Sequence, residues 1–261
     1  MLDAIDLRAP LAADAVARLR ATIVEHQVVF VRDQHLTEDE LRTFAARFGP
    51  LGVSPLHQVL GTGRTTSVIE DTADRPPAGF DWHTDLSWTA APPALGFLSA
   101  VEIPAWGGDT MWASLSAAFD SLPPGTRAAC RGLRVRHRPD RTLLESVARH
   151  HGDEVARRLR DAHPPVDHPL VRLHPVSGQR LLSLSPLYTE QVVGLERDTS
   201  AQLMATLERT LEDPHHQVRW RWAEGDVAVW DEAATCHRAL TDHFPHRRVM
   251  RRCVVERGRP A

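Results

Sequence analysis

The stretch from about Gly52 to Trp112 constrains the fold most. Its apolar runs are short and are cut by proline and glycine, as in TADRPPAGF and VEIPAWGGD, which predicts strands joined by loops. Ahead of it, residues 10–27 carry apolar positions at helical spacing and VVFVR (28–32) reads as a buried strand. LTEDELRTFAARFG (36–49) has a Thr37 cap, Glu40 three residues later and Gly49 just beyond its end, which are helix start and stop signals. Helical patterning returns at 114–122, at 141–160 and at 198–212. HPLVRLHPVSGQRLLSLS (168–185) predicts two strands around a turn at Ser177-Gly178, and GDVAVWD and RRVMRRCVVE two late strands. At 261 residues and 42% hydrophobic, the chain can bury one sizeable core. We expect a single domain over 1–261 that is mainly β with flanking helices (α+β). It has a helical N-terminal part at about 10–49 and a helical insertion at about 114–165.

Charge and composition narrow the chemistry. With 31 basic and 34 acidic residues the formal charge is -3, so there is no electrostatic case for nucleic acid or an anionic membrane. No run approaches a membrane span and the first residues do not pattern as a signal peptide, so a cytoplasmic protein is expected. Cys130, Cys236 and Cys253 are widely spaced without C-x-x-C and read as reduced packing thiols. The sequence contains no lysine, which removes Schiff-base chemistry and the P-loop lysine and leaves arginine all the cationic work.

Within FDWHTDLSW, His83 and Asp85 stand two residues apart, and in an extended strand both would leave the same face. That offers either half of a metal site or a polar pair that satisfies itself. A facial set of two histidines and a carboxylate needs a third ligand from another element. His237, after GDVAVWD and the turn EAAT at the mouth of a sheet, is the best candidate. In HFPHRRVMRRCVVE, strand alternation puts Arg248, Met250 and Arg252 on one face and Arg247, Val249 and Arg251 on the other. Buried arginines on the first face would need anions. Arg247 and Arg251 read as a solvent-facing edge that guards against strand pairing.

WHTD (82–85), GGDTMWAS (107–114), HQVVFVRDQ (26–34), HPLVRLHPVSG (168–178) and WDEAATCHRALTDHFPHRRVMRR (230–252) together resemble the taurine dioxygenase (TauD/TfdA) family of Fe(II)- and 2-oxoglutarate-dependent oxygenases. The resemblance runs in order from about residue 26 to 256. It implies a distorted double-stranded β-helix, or jelly roll, with iron held by His83, Asp85 and His237. It further implies that Arg248 clamps the distal carboxylate of 2-oxoglutarate with Thr110 as hydroxyl helper. Three protein ligands leave room for bidentate 2-oxoglutarate and for O2. The implied reaction releases succinate and carbon dioxide while a substrate C–H bond is oxidised, by hydroxylation as the default, with desaturation or epoxidation as variants.

Departures from the taurine-oxidising members point to the substrate. Ser54 aligns where they carry a sulfonate-binding histidine, and His57 follows it. Arg252 matches their anion-binding arginine, with the backbone N–H of Leu86 beside it. Tyr188, the only tyrosine, aligns with an aromatic pocket residue, and Gly79 replaces a polar side chain. The expected substrate is a small organic anion, larger and more apolar than taurine, such as an alkyl sulfate, an aryloxy acid or a secondary-metabolite acid. A homo-oligomer is left open. Two other classes compete: a zinc hydrolase using the same triad, which leaves Arg248 and Thr110 unexplained, and a non-catalytic metal-binding jelly roll.

Overall fold

The computed structural model describes residues 5–77 and 81–257. The N-terminal part forms α1 (Ala13–His26), β1 (Val28–Val31) and α2 (Glu38–Ala45). The capping box of α2 is complete: Thr37 Oγ1 accepts from Glu40 N at 3.2 Å and Glu40 Oε2 accepts from Thr37 N at 2.8 Å. Next come α3 (Pro55–Val59), β2 (Thr66–Asp71), β3 (Leu95–Glu102) and β4 (Thr110–Ser114). The middle of the chain holds α4 (Leu115–Ser121), α5 (Pro124–Ala129), β5 (Arg134–His137), α6 (Arg141–His151) and α7 (Asp153–Ala162). It continues through β6 (Val166–Pro169), β7 (Val171–Leu173), β8 (Arg180–Leu182) and β9 (Thr189–Val192) to α8 (Arg197–Glu208). The last strands are β10 (Gln217–Trp220), β11 (Val227–Asp231), β12 (Thr235–Ala239) and β13 (Arg248–Val255). Among the described residues no helix is long and apolar enough to cross a membrane.

Two antiparallel sheets face each other. One has five strands in the order β1-β11-β3-β13-β2, the other three in the order β10-β4-β12. Period-2 alternation sorts the larger sheet into two faces. Phe30, Leu98, Ala100, Ala228, Trp230 and Met250 meet Trp112 and Trp220 of the smaller sheet, and Phe30 stacks on Trp220 with centroids 4.1 Å apart. The intervening residues, Val29, Val31, Phe97, Val227 and Val229, pack against Leu19 and Ile23 of α1 and Leu41 and Phe44 of α2. Arg248 and Arg252 flank Met250 on the face that looks into the gap between the sheets.

Several expectations are corrected. β13 lies between β3 and β2 and is no edge: Arg247 pairs with Glu70 and Glu102, and Arg251 donates to the Leu36 carbonyl at 3.0 Å. The segment 141–160 is two helices split at Gly152, whose φ of 90° no continuing helix adopts. The insertion at 114–165 is not all helical, because β5 pairs with β6 and β9; its RVRH sequence hides a strand in which only Val135 and His137 are buried. The hairpin at 171–182 forms as expected, but His168 and Pro169 belong to β6 and pair with β5.

Candidate metal centre

His83 and Asp85 do not share an extended strand. His83 makes one antiparallel bridge to His237, with N–H···O distances of 2.9 and 2.7 Å, and the chain then turns, Thr89 N donating to Leu86 O at 2.9 Å. Leu86 has a φ of 54°, a left-handed conformation uncommon for a residue with a Cβ. His237 follows the EAAT turn as expected but sits in the middle of a further strand, β12, as the cross-strand partner of Trp112. The bridge and the turn bring His83, Asp85 and His237 together, with one ligand atom from each lying within 4.8 Å of the others. Asp85 Oδ1 is 3.8 Å from His83 Nε2 and 3.9 Å from His237 Nε2.

The donors fit a divalent iron. His83 Nδ1 is 2.8 Å from the Asp81 carbonyl, and a proton donated there leaves Nε2 bare toward Asp85. Burial, reinforced by His83, pushes the His237 pKa down to about 3, so this imidazole is neutral near pH 7. Burial alone would raise the Asp85 carboxyl, but Arg252, His237 and His83 outweigh it and hold its pKa below the usual value. Two imidazole nitrogens and a carboxylate oxygen on one face form the donor set that Fe(II) accepts with open positions beside it. Asp85 Oδ2 and His237 Nδ1 are buried without a partner among the described residues.

These three residues open onto a cavity of about 220 Å³ that also receives Thr110, Arg248, Arg252 and Tyr188. Its remaining wall is largely apolar, from Ile69, Leu98, Leu143, Leu187 and Trp230, with Asp140, Thr142 and Ser146 around α6. Arg248 is buried and donates from Nε to the Gly108 carbonyl at 3.0 Å. Gly108 is required there, since its φ is 72° and a Cβ would fall 2.9 Å from Arg248 Cδ. Thr110 Oγ1 accepts from Trp222 Nε1 at 2.9 Å and lies 3.5 Å from Arg248 Nη2, which frees its own proton to donate into the cavity. Behind Arg248, Asp71 Oδ2 is 4.0 Å from Nη1 and 3.2 Å from His243 Nε2. Arg252 Nη1 donates to Asp85 Oδ1 at 2.7 Å. The Tyr188 ring meets His83 edge-on at 5.9 Å, and burial, then Asp85, raises its hydroxyl above the usual pKa.

Three expected substrate residues lie elsewhere. Ser54 is the N-cap of α3, its hydroxyl accepting from His57 N at 3.4 Å, and His57 Nδ1 pairs with Thr62 Oγ1 at 3.0 Å. Neither lines the cavity, and Leu86, whose backbone N–H was the expected donor, lines a separate one beside Pro55 and His163. Gly79 lies outside the described residues. Sequence reasoning missed Trp222, Asp71 and His243 around Arg248, and Glu232 beside Asp85. Glu232 Oε2 accepts from Asp85 N at 3.1 Å, and burial, with the Asp85 charge, raises its pKa well above the ordinary range. An acidic pair, Asp231-Glu232, set directly after the apolar run VAVW was the available signal.

The family described as "Taurine catabolism dioxygenase TauD, TfdA family" matches residues 3–254. The chain belongs to the TauD/TfdA family. Among its TauD/TfdA relatives, an alpha-ketoglutarate-dependent sulfate ester dioxygenase of Pseudomonas putida is 32% identical, over 96% of this chain and 84% of that protein. The alpha-ketoglutarate-dependent 2,4-dichlorophenoxyacetate dioxygenase of Cupriavidus pinatubonensis is 30% identical, over 96% and 92%. A crystal structure of a taurine dioxygenase from Burkholderia xenovorans superposes with a TM-score of 0.79 at 32% identity, covering 97% of this chain and 85% of that one. As a TauD/TfdA member the protein is a 2-oxoglutarate-dependent non-haem iron dioxygenase that uses Fe(II), 2-oxoglutarate and O2.

Proposed function

We propose that the protein oxidises a C–H bond of a small organic anion larger and more apolar than taurine, on one jelly-roll domain that spans the chain. One observation carries this reading: a single cavity joins the His83, Asp85 and His237 set to two arginines four residues apart on β13, and its other walls are mostly apolar. His83, Asp85 and His237 would hold Fe(II). Arg248 and Thr110 would take the far carboxylate of 2-oxoglutarate, a guanidinium fork with a hydroxyl for the remaining lone pair. When bound, the iron and cosubstrate supply the oxidation, converting 2-oxoglutarate and O2 to succinate and carbon dioxide as the C–H bond is oxidised. The chain's own share is placement and exclusion of water.

Arg252 is the anion anchor in this reading. Its Nη1 is bonded to Asp85, and its remaining N–H groups are left for a carboxylate, sulfate or sulfonate beside the metal. Leu143, Leu187 and Tyr188 support the apolar body of the substrate. The sulfate ester and aryloxyacetate named for two relatives belong to the same chemical class. Hydroxylation is the default outcome.

The test is a screen scored by succinate release with taurine, longer alkyl sulfonates, alkyl sulfates and aryloxy acids. The bulkier anions should turn over well and taurine poorly. Efficient taurine turnover would refute the size argument, and turnover of an uncharged substrate equally by wild type and Arg252→Ala would refute the anchor.

A further inference from the structure

Glu232 follows β11 directly and is only 1% exposed. Among the described residues its Oε1 has no partner, and the one hydrogen bond of its side chain takes the backbone N–H of Asp85 at Oε2, 3.1 Å away. Room for it comes from β3, where a Cβ on Gly96 would fall 2.6 Å from Glu232 Oε1 and 2.3 Å from the Trp230 ring. A buried acid with so few bonds is a poor choice for stability, because an apolar side chain of the same volume avoids the desolvation cost.

The turn that aims Asp85 gives this acid a use. Leu86 is left-handed, a conformation that persists when its surroundings hold it. Ser185 Oγ accepts from Thr84 N at 3.1 Å and Thr84 Oγ1 donates to Thr235 O at 2.9 Å, so both of those anchors act on Thr84. The grip on Asp85's own backbone comes from Glu232. We propose that Glu232 is a positioning residue for the metal centre, its Oε2 fixing the Asp85 peptide and with it the direction of the Asp85 carboxylate. The inference rests on the reading of His83, Asp85 and His237 as metal ligands.

The test is titration with Mn(II), a redox-silent stand-in for Fe(II), read by the electron paramagnetic resonance of free ion, with thermal unfolding alongside. Glu232→Gln keeps the acceptor and should bind Mn(II) within about threefold of wild type. Glu232→Met removes it at similar volume and should bind about 10–100-fold more weakly, the usual loss when a group orienting a ligand is removed, with Tm unchanged or higher. Glu232→Ala serves if the Met variant does not fold, with the same expected loss. Wild-type affinity in the Met or Ala variant overturns the proposal, as does a Gln variant that falls as far as Met. Asp85→Ala separates the two layers: wild type binding no better than Asp85→Ala defeats the metal-centre reading itself, whereas a normal wild type and a crippled Asp85→Ala beside an unaffected Glu232→Met defeat the positioning role alone.

Discussion

Arg252 Nη1 stands 2.7 Å from Asp85 Oδ1, so the guanidinium expected to meet the substrate also holds the metal-binding carboxylate. Arg252→Ala should therefore have two effects. It leaves Asp85 buried without its cation, and metal affinity should fall by about tenfold or more, as for other groups that orient a ligand. It should also raise KM for the anionic substrate. Metal titration in the absence of substrate separates them, and an unchanged metal Kd would leave Arg252 a substrate residue alone.

Arg248 and Arg247 are neighbours with opposite expected outcomes. Arg248 is buried at the cavity, whereas the Arg247 side chain is 50% exposed and pairs with Glu70 and Glu102. Arg248→Ala should weaken 2-oxoglutarate binding by about 2–5 kcal/mol, the range for truncating one partner of a buried hydrogen-bonded charge pair. Arg247→Ala should cost at most about 1 kcal/mol of stability and leave 2-oxoglutarate binding intact. Calorimetric titration of 2-oxoglutarate into both variants, with metal bound, checks the contrast.

Thr110→Val keeps the shape of the side chain and orphans Trp222 Nε1, which now donates to Thr110 Oγ1 at 2.9 Å. An unsatisfied buried donor costs about 1–3 kcal/mol, which urea unfolding would detect. Thr110→Ser retains the acceptor and should recover most of that loss. Equal stability of the two variants would mean that Trp222 finds another acceptor.

Burial pushes the thiols of Cys236 and Cys253 from an ordinary value of 9.0 up to about 12. Both should resist alkylation near pH 7 until the protein unfolds. The sign of the linkage follows: their contribution to stability is complete below about pH 9, where both folded and unfolded thiols are protonated, and is lost as pH climbs toward 12. Urea midpoints for wild type should fall more steeply over that alkaline range than those of Cys236→Ala. Parallel curves would contradict the shift.

The helices announced by capping signals, and the two arginines two places either side of Met250, were legible because both depend on local periodicity. The chemistry of H-x-D was legible too, through residue type, but its geometry was not. A left-handed Leu86 leaves no mark in a sequence, and the bridge from His83 to His237 joins residues far apart in the chain. Ser54 shows the opposite failure: Ser-Pro at a helix start is an N-cap followed by a proline at the first turn, a local signal that a family alignment overrode. Glu232, Asp71 and His243 depend on tertiary neighbours, and an acid or histidine in isolation reads as solvated.

The placement of β13 between β3 and β2 has a consequence for biosynthesis. Every other strand among the described residues leaves the ribosome before residues 248–255, yet the larger sheet cannot close without them. Until β13 slots into the middle, β2 has no partner in the sheet, Asp85 lacks Arg252, and the cosubstrate clamp at Arg248 does not exist. A nascent chain thus carries His83 and Asp85 well ahead of Arg248 and Arg252, and oxidative competence waits for residues 248–255.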